Sequence, residues 1–215
     1  MIPLYHDFTD ETVVIFGGGP VGARKARRFS GEADVVVISP EFSEDEYGAA
    51  ELVRARPGVD DVRTWFDRLD PALVVSATDN DAVNAAVERE ANRDSTLINR
   101  ADRSGDRGPK SIVVPATVQD GDIAVAISTG GRSPALAKEL RKRIEREIEG
   151  ADELAAITAA VREELKARGV DPDRRRAAVR NAVQSSEVWK DLGRGDSNPQ
   201  QTVDAVVEAA LGEKP

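Results

Sequence analysis

The sequence predicts an α/β protein: a parallel sheet covered by helices, then a β-hairpin and a long helix, then a charged helical region. Three observations carry that reading. Residues 12–99 alternate short apolar runs with helical patterns, the order that builds a parallel sheet covered on both faces. Residues 111–128 hold two β-prone runs around Gln119-Asp-Gly-Asp122, a hairpin signal. Beyond Gly150 the chain is helical in period and rich in charge.

Taken in order, Val13–Phe16 reads as a buried strand, followed by Gly17, Gly19 and Gly22 at G-x-G-x-x-G spacing. Val21 to Ser30 reads as a helix ended by Gly31, and Val35–Ile38 as a second apolar strand closed by Ser39-Pro40. Strand, helix and strand make a βαβ unit of ordinary length. Ser43 to Ala50 reads as helical, Leu52 to Ala55 as a short strand and Pro57-Gly58 as a turn. Val62 to Leu69 carries Trp65 and Phe66, read as packing residues. Leu73–Ala77 is a further strand, a helix runs from Asp79-Asn80 to about Asn92, and Thr96–Asn99 is the next strand. Asn99 to Lys110 is a polar loop.

Ser111–Val118 and Ile123–Ser128 form the hairpin, with Pro115 suited to an edge or bulge. Ser133 is the expected N-cap and Pro134 the first residue of the long helix. Leu136, Leu140, Ile144 and Ile148 recur every four residues on that helix, a narrow stripe that fits one facing helix of a second subunit. Helices are then expected over Leu154–Arg168, Pro172–Leu192 and Thr202–Leu211, with Gly193–Gln201 as a linker. The expected division is residues 1–110, 111–149 and 150–215.

Composition narrows the function classes. Hydrophobic residues make up 40% of the 215, enough for a core, but aromatics only 4%, so Val, Ala, Leu and Ile do most of the packing. A formal net charge of −9 argues against general nucleic-acid affinity. Abundant Asp and Glu with little Lys matches the surface style of salt-adapted cytosolic proteins. No cysteine is present, which excludes disulfides, thiolate catalysis and Cys-ligated metals. The first residues have no basic, apolar leader pattern, and no apolar run approaches membrane-spanning length. A soluble cytoplasmic protein is expected.

The glycine loop carries the first chemistry. Its first glycine allows the tight turn, the second admits a diphosphate to the backbone, and the third lets helix and strand pack closely. The N–H groups at the helix start then face the anion. The alternative is a glycine turn in an α/β domain with no nucleotide. An acid that would bind the ribose hydroxyls at the second strand's end is missing from its usual place, where Ser39-Pro40-Glu41 stands.

Four stretches together resemble the precorrin-2 dehydrogenase / siroheme synthase N-terminal family. They are Phe16–Ala26, Ser76–Asn80 with Asn84, Asn99–Asp102, and Ala126-Ile-Ser-Thr-Gly-Gly-Arg-Ser-Pro-Ala-Leu-Ala137. The Arg174-Arg-Arg to Ser186-Glu-Val-Trp189 region matches more loosely. The resemblance implies a Rossmann-like NAD-binding domain, a central dimerisation segment and a C-terminal helical domain. It implies NAD-dependent oxidation of precorrin-2 to sirohydrochlorin by a homodimer, with iron insertion in some members. The implied cofactor-binding residues are Gly17, Gly19, Pro20, Val21, Gly22, Ser39, Glu41, Phe42 and Thr78. Asp102 matches the family's acid/base aspartate.

The chemistry asks for one positioned base, because hydride and proton leave together. Without the resemblance, Asp102 reads as a loop carboxylate paired with Arg100 or Arg103. The stretch from Asp102 to Pro115 is longer and richer in Gly and Arg than the family pattern, so Asp106 stands as the alternative base. The substrate is a polyanion, and Arg forks suit carboxylates. Arg100, Arg103, Thr129 and Arg132 are the expected substrate contacts, with Arg107, Lys110 and Lys138 nearby in sequence. Thr129 is equally read as part of the turn before the Ser133 cap. No metal ligand set is expected, and the single histidine, His6, is read as a surface or packing residue. Dehydrogenation alone is the main reading. A dehydrogenase that also inserts iron and a non-enzymatic NAD-sensing module are the alternatives.

Overall fold

The structure is a computed structural model that describes residues 3–103, 108, 110–192 and 198–212. The chain divides into two compact units, with the boundary between Val114 and Pro115.

In the first unit, β1 (Thr12–Phe16), β2 (Asp34–Ser39), β3 (Glu51–Arg54), β4 (Leu73–Ser76) and β5 (Leu97–Arg100) form one parallel sheet in the order β3-β2-β1-β4-β5. The apolar runs alternate side chains between its two faces. Val14, Phe16, Val36, Ile38, Val74 and Ile98 pack with α2 (Val62–Leu69) and α3 (Asp81–Asp94). Val13, Ile15, Val35, Val37, Leu73 and Val75 pack on the other face with Ala23, Ala26 and Phe29 of α1 (Pro20–Phe29). Each of the buried Val, Leu, Ile and Phe side chains among them stabilises the fold by about 1.5–3 kcal/mol. Aromatics contribute as read: Phe66 is buried and Trp65 packs against the same cluster.

Two stretches depart from expectation. Residues 43–50 form no helix. Gly48 takes a left-handed φ of +65°, and Tyr47 is buried with its hydroxyl donating to the Gly18 carbonyl. The chain is thus drawn over the glycine loop, and this burial outweighs the local helical preference of Glu44-Asp-Glu46. The first half of the expected hairpin strand also goes elsewhere. The Ile112 amide donates to the Ile98 carbonyl at 2.8 Å, and Asn99 Nδ2 donates to the Ile112 carbonyl at 2.9 Å. Ser111 bridges Ile98 in parallel sense, and Ile112 and Val114 pack in the first unit's core.

In the second unit the hairpin is β6 (Ala116–Asp120) and β7 (Ile123–Ile127), followed by α4 (Pro134–Glu147). Ser133 caps α4, its Oγ accepting from the Leu136 amide at 3.3 Å. Gly121, at φ +54°, turns the hairpin onto the start of α5 (Ala151–Ala167). There Asp152 Oδ1 accepts from the Asp122 amide at 2.9 Å, while the Asp152 amide donates to Asp120 Oδ2 at 3.1 Å. Helices α5, α6 (Pro172–Gln184), α7 (Ser186–Asp191) and α8 (Pro199–Leu211) enclose a core that includes Leu154, Leu165, Ala178, Val188, Val203 and Leu211.

The single helix expected over Pro172–Leu192 is two. Ser185 is extended (ψ 118°), and its Oγ accepts from the Val188 amide, restarting the helix as α7. The break turns Val188 fully into the core. Of the linker expected over Gly193–Gln201, residues 193–197 lie outside the described residues, and α8 begins at Pro199. No described helix is long and apolar enough to cross a membrane.

Candidate functional site

A crevice of about 570 Å³ opens in the first unit, at the carboxyl edge where strand order reverses between β1 and β4. Open parallel sheets bind ligands at this switch point. Its walls are the glycine loop, the segment after β2, Arg56-Pro57 after β3, and Ala77–Asn80 after β4.

Gly17 and Gly22 are required by close approach. Gly17 has φ +117°, and a side chain there would strike the Ala77 carbonyl. One at Gly22 would strike the Gly17 carbonyl, so α1 packs tightly on β1. At Gly19 a methyl would meet nothing within 4 Å: this backbone faces open space. Gly19 is also the N-cap of α1, with no side-chain cap, so the first-turn N–H groups remain for an anion. A bare backbone facing an open crevice at a helix N-terminus is what a dinucleotide diphosphate requires, and these residues fit one.

Of the predicted cofactor residues, Gly17, Gly19, Ser39, Glu41, Phe42 and Thr78 line the crevice. Pro20, Val21 and Gly22 do not; they form the first turn of α1 behind it. Ser39 is buried, and its hydroxyl donates to the Glu41 carbonyl at 2.6 Å, bending the segment after β2. Thr78 is held by Asn84, which is fully buried: Asn84 Nδ2 donates to the Thr78 carbonyl at 2.8 Å, and Thr78 Oγ1 donates to Asn84 Oδ1 at 2.7 Å.

Sequence reasoning missed three contributors. At Gly18 a side chain would strike the Glu41 carbonyl, Ser39 Cβ and the Phe42 ring, so a third consecutive glycine was the available signal. Tyr47 braces the loop: the Ser43 amide donates to both the Gly18 carbonyl (2.8 Å) and the Tyr47 hydroxyl (3.1 Å). Arg56 reaches the crevice only because β3 pairs with β2, a juxtaposition with no local sequence signal.

Asp102 lies two residues past β5, beside the loop that follows β4. The Ala101 amide donates to the Ser76 carbonyl at 2.9 Å and fixes that placement. Arg100 Nε and Nη2 donate to Asp102 Oδ1 and Oδ2 at 2.8 and 2.5 Å, and Arg100 Nη1 donates to Glu88 Oε2 at 2.5 Å. The Arg100 side chain is 6% exposed, with its fork engaged by protein carboxylates. This hydrogen bonding holds the Asp102 carboxyl below its ordinary pKa and raises that of Arg100.

Arg103 is more exposed, with Nε 3.8 Å from Asp102 Oδ2. Asp106 and Arg107 lie outside the described residues. Lys110 Nζ donates to Ser95 Oγ at 2.8 Å, at the end of α3. Thr129 and Arg132 belong to the second unit, in the turn between β7 and α4. Thr129 Oγ1 donates to the Ser133 carbonyl at 3.1 Å and accepts from its amide at 3.3 Å, while Arg132 is exposed. His6 is exposed and packs its ring on Phe8, 4.3 Å between centroids. Among the described residues no group of three or more His, Asp or Glu is arranged to hold a metal ion.

An NAD(P)-binding family model matches residues 4–116, and the model of the sirohaem biosynthesis protein central region matches residues 120–147. The chain is 32% identical to a precorrin-2 dehydrogenase of Methanosarcina barkeri, covering 98% of this chain and 95% of that one. It is 35% identical to a siroheme synthase of Stutzerimonas stutzeri over 81% of this chain, but spans only 37% of that protein. The solved structure of SirC, a precorrin-2 dehydrogenase, superposes with a TM-score of 0.69 at 23% identity, covering 97% of this chain and all of that one, and so shares the fold. Glycine loop, switch-point crevice and near-full-length similarity agree: the chain belongs to the precorrin-2 dehydrogenase family.

Proposed function

We propose that this protein oxidises precorrin-2 to sirohydrochlorin, with NAD+ as the oxidant. The observation that carries the reading is the position of Asp102, an ionised carboxylate two residues past β5, beside the end of the crevice strand β4. In the reaction the substrate loses one hydride and one proton. A bound nicotinamide supplies the hydride acceptor. The protein supplies orientation and a place for the proton.

The glycine loop and the α1 N-terminus would hold the diphosphate, Ser39, Glu41 and Phe42 would contact the dinucleotide from the segment after β2, and Thr78 supports the wall after β4. Arg100 keeps both oxygens of Asp102 pointed and charged, and each oxygen retains a second lone pair that accepts a proton. Arg100 therefore acts through Asp102, whereas Arg103, Thr129 and Arg132 are assigned to substrate carboxylates. Glu88 pairs with the far end of the Arg100 fork, and Asp102, kept ionised by Arg100, is the carboxylate assigned to take the proton as hydride departs.

The assembly is proposed as a homodimer in the cytoplasm, organised as an NAD-binding domain (1–110), a dimerisation segment (111–149) and a helical domain (150–215). The dimer rests on α4, which buries none of its residues within its own unit. Anaerobic mixing of protein, precorrin-2 and NAD+ tests the function through NADH absorbance and the sirohydrochlorin spectrum. Turnover is expected; a folded protein that binds NAD+ and leaves precorrin-2 unchanged overturns the reading. Sirohydrochlorin offered with Fe2+ is expected to remain metal-free, and catalysed insertion would instead establish the bifunctional alternative.

A further inference from the structure

A second concave surface lies in the second unit, away from any residue given a role above. It is a groove of about 420 Å³ formed by α5 and α6. Arg162 comes from α5, and Arg175, Arg176, Val179, Arg180 and Val183 come from α6. The pattern follows from helical geometry. Ala178 and Ala182 take the core face of α6, Arg175 and Val179 are half-buried at its edge, with Val179 touching the core, and Arg176, Arg180 and Val183 face outward.

Arg63, Arg100, Arg141, Arg143 and Arg168 each meet a carboxylate of the protein, and Arg27, Arg54 and Arg174 donate to backbone carbonyls. In the groove only Arg176 meets a carboxylate, that of Asp173. Arg162, Arg175 and Arg180 have no acidic partner among the described residues, in a chain with nine more acids than bases. Val183 is left 41% exposed between them. Arginines gathered without counter-charge around exposed apolar surface match a ligand that is itself apolar in the middle and anionic at the rim. Guanidinium forks pair with carboxylates in two parallel hydrogen bonds.

We propose that the α5–α6 groove is a second binding site for a carboxylate-fringed macrocycle, taking one edge of the ring on Val179 and Val183 and its acid arms on Arg162, Arg175 and Arg180. That ligand class rests on the function proposed above. The site requires no chemistry: it would retain or hand over the tetrapyrrole outside the place of reaction.

The probe is uroporphyrin I, an octacarboxylate, titrated into the full-length chain and followed by its fluorescence. The wild type is expected to bind one more porphyrin per chain than an Arg175→Gln/Arg180→Gln variant, and that component should weaken about tenfold or more for each arginine lost. Both side chains are on the surface, so melting temperature and secondary structure should be unchanged. The same component should weaken from eight to four to two carboxylates on the ring. Equal binding by wild type and variant, or full competition by tripolyphosphate or a short DNA duplex, overturns the site. Turnover of precorrin-2, measured in parallel, separates the two ideas. Turnover with unaltered porphyrin stoichiometry removes the groove alone, and an arginine-dependent porphyrin site without turnover removes the proposed reaction alone.

Discussion

Arg100 puts three donors onto carboxylate oxygens from a nearly water-free position, and its loss should be felt twice. Substituting it by Gln takes the buried counter-charge from Glu88 and leaves Asp102 with only the more distant Arg103, which is expected to cost about 3 kcal/mol in urea unfolding, the low end for a broken buried pair. The second effect is on pH. Because Arg100 depresses the folded pKa of Asp102, its stabilisation is complete above the ordinary carboxylate value and is lost as pH falls through the depressed one. In Arg100→Gln that acid-sensitive increment should largely disappear from the pH–stability profile, while the acidic limb of kcat/KM moves to higher pH in the pH–rate profile. Asp102→Asn is expected to abolish oxidation while NAD+ affinity by calorimetry stays unchanged; retained activity would transfer the role to another acid. At this scale the sequence offered two readings of Asp102, ion-pair partner or base. Pairing with Arg100 is directly visible in the structure, and it supplies the means by which a base stays ionised.

The elements were legible where one force dominated. The apolar runs of β1, β2, β4 and β5 became strands because they are buried on both faces, whereas β3 is an exposed edge strand held by its pairing with β2. Reading failed between β2 and β3. Glu44-Asp-Glu-Tyr47 has helical composition, yet the energy of that segment lies in tertiary contacts of Tyr47 with the glycine loop, which no local pattern encodes. Tyr47→Phe tests this. It removes the hydroxyl that donates to the Gly18 carbonyl and leaves that buried acceptor and the Ser43 amide with one partner fewer. About 1–3 kcal/mol of stability should be lost. In steady-state kinetics the KM for NAD+ should rise more than kcat falls, since the substitution loosens the cradle and leaves Asp102 in place.

For the whole molecule, the alternation of strands and helices announced the first unit, and the hairpin and capped helix announced the second. Where one ends and the other begins was not legible, because Ser111–Val114 has the same β-prone character as the strand after it. Only the hydrogen bonds of Ile112 with β5 assign it. The helical stripe Leu136, Leu140 and Ile144 was legible, and its lack of any buried position within its unit is what makes a second copy the expected partner. Leu140→Glu with Ile144→Glu is expected to convert a two-chain mass into a one-chain mass by light scattering, and a wild-type mass of one chain would refute the dimer.

The clasp at Gly121 has a mechanical meaning. Asp120 and Asp152 each accept the other segment's amide, so the hairpin tip and the first turn of α5 are joined by a reciprocal pair of hydrogen bonds across thirty residues of chain. The two bonds tie the hairpin tip to the start of the helical bundle at two points. Native-state hydrogen exchange should show the amides of Asp122 and Asp152 exchanging with one common opening free energy, as members of a single cooperative unit.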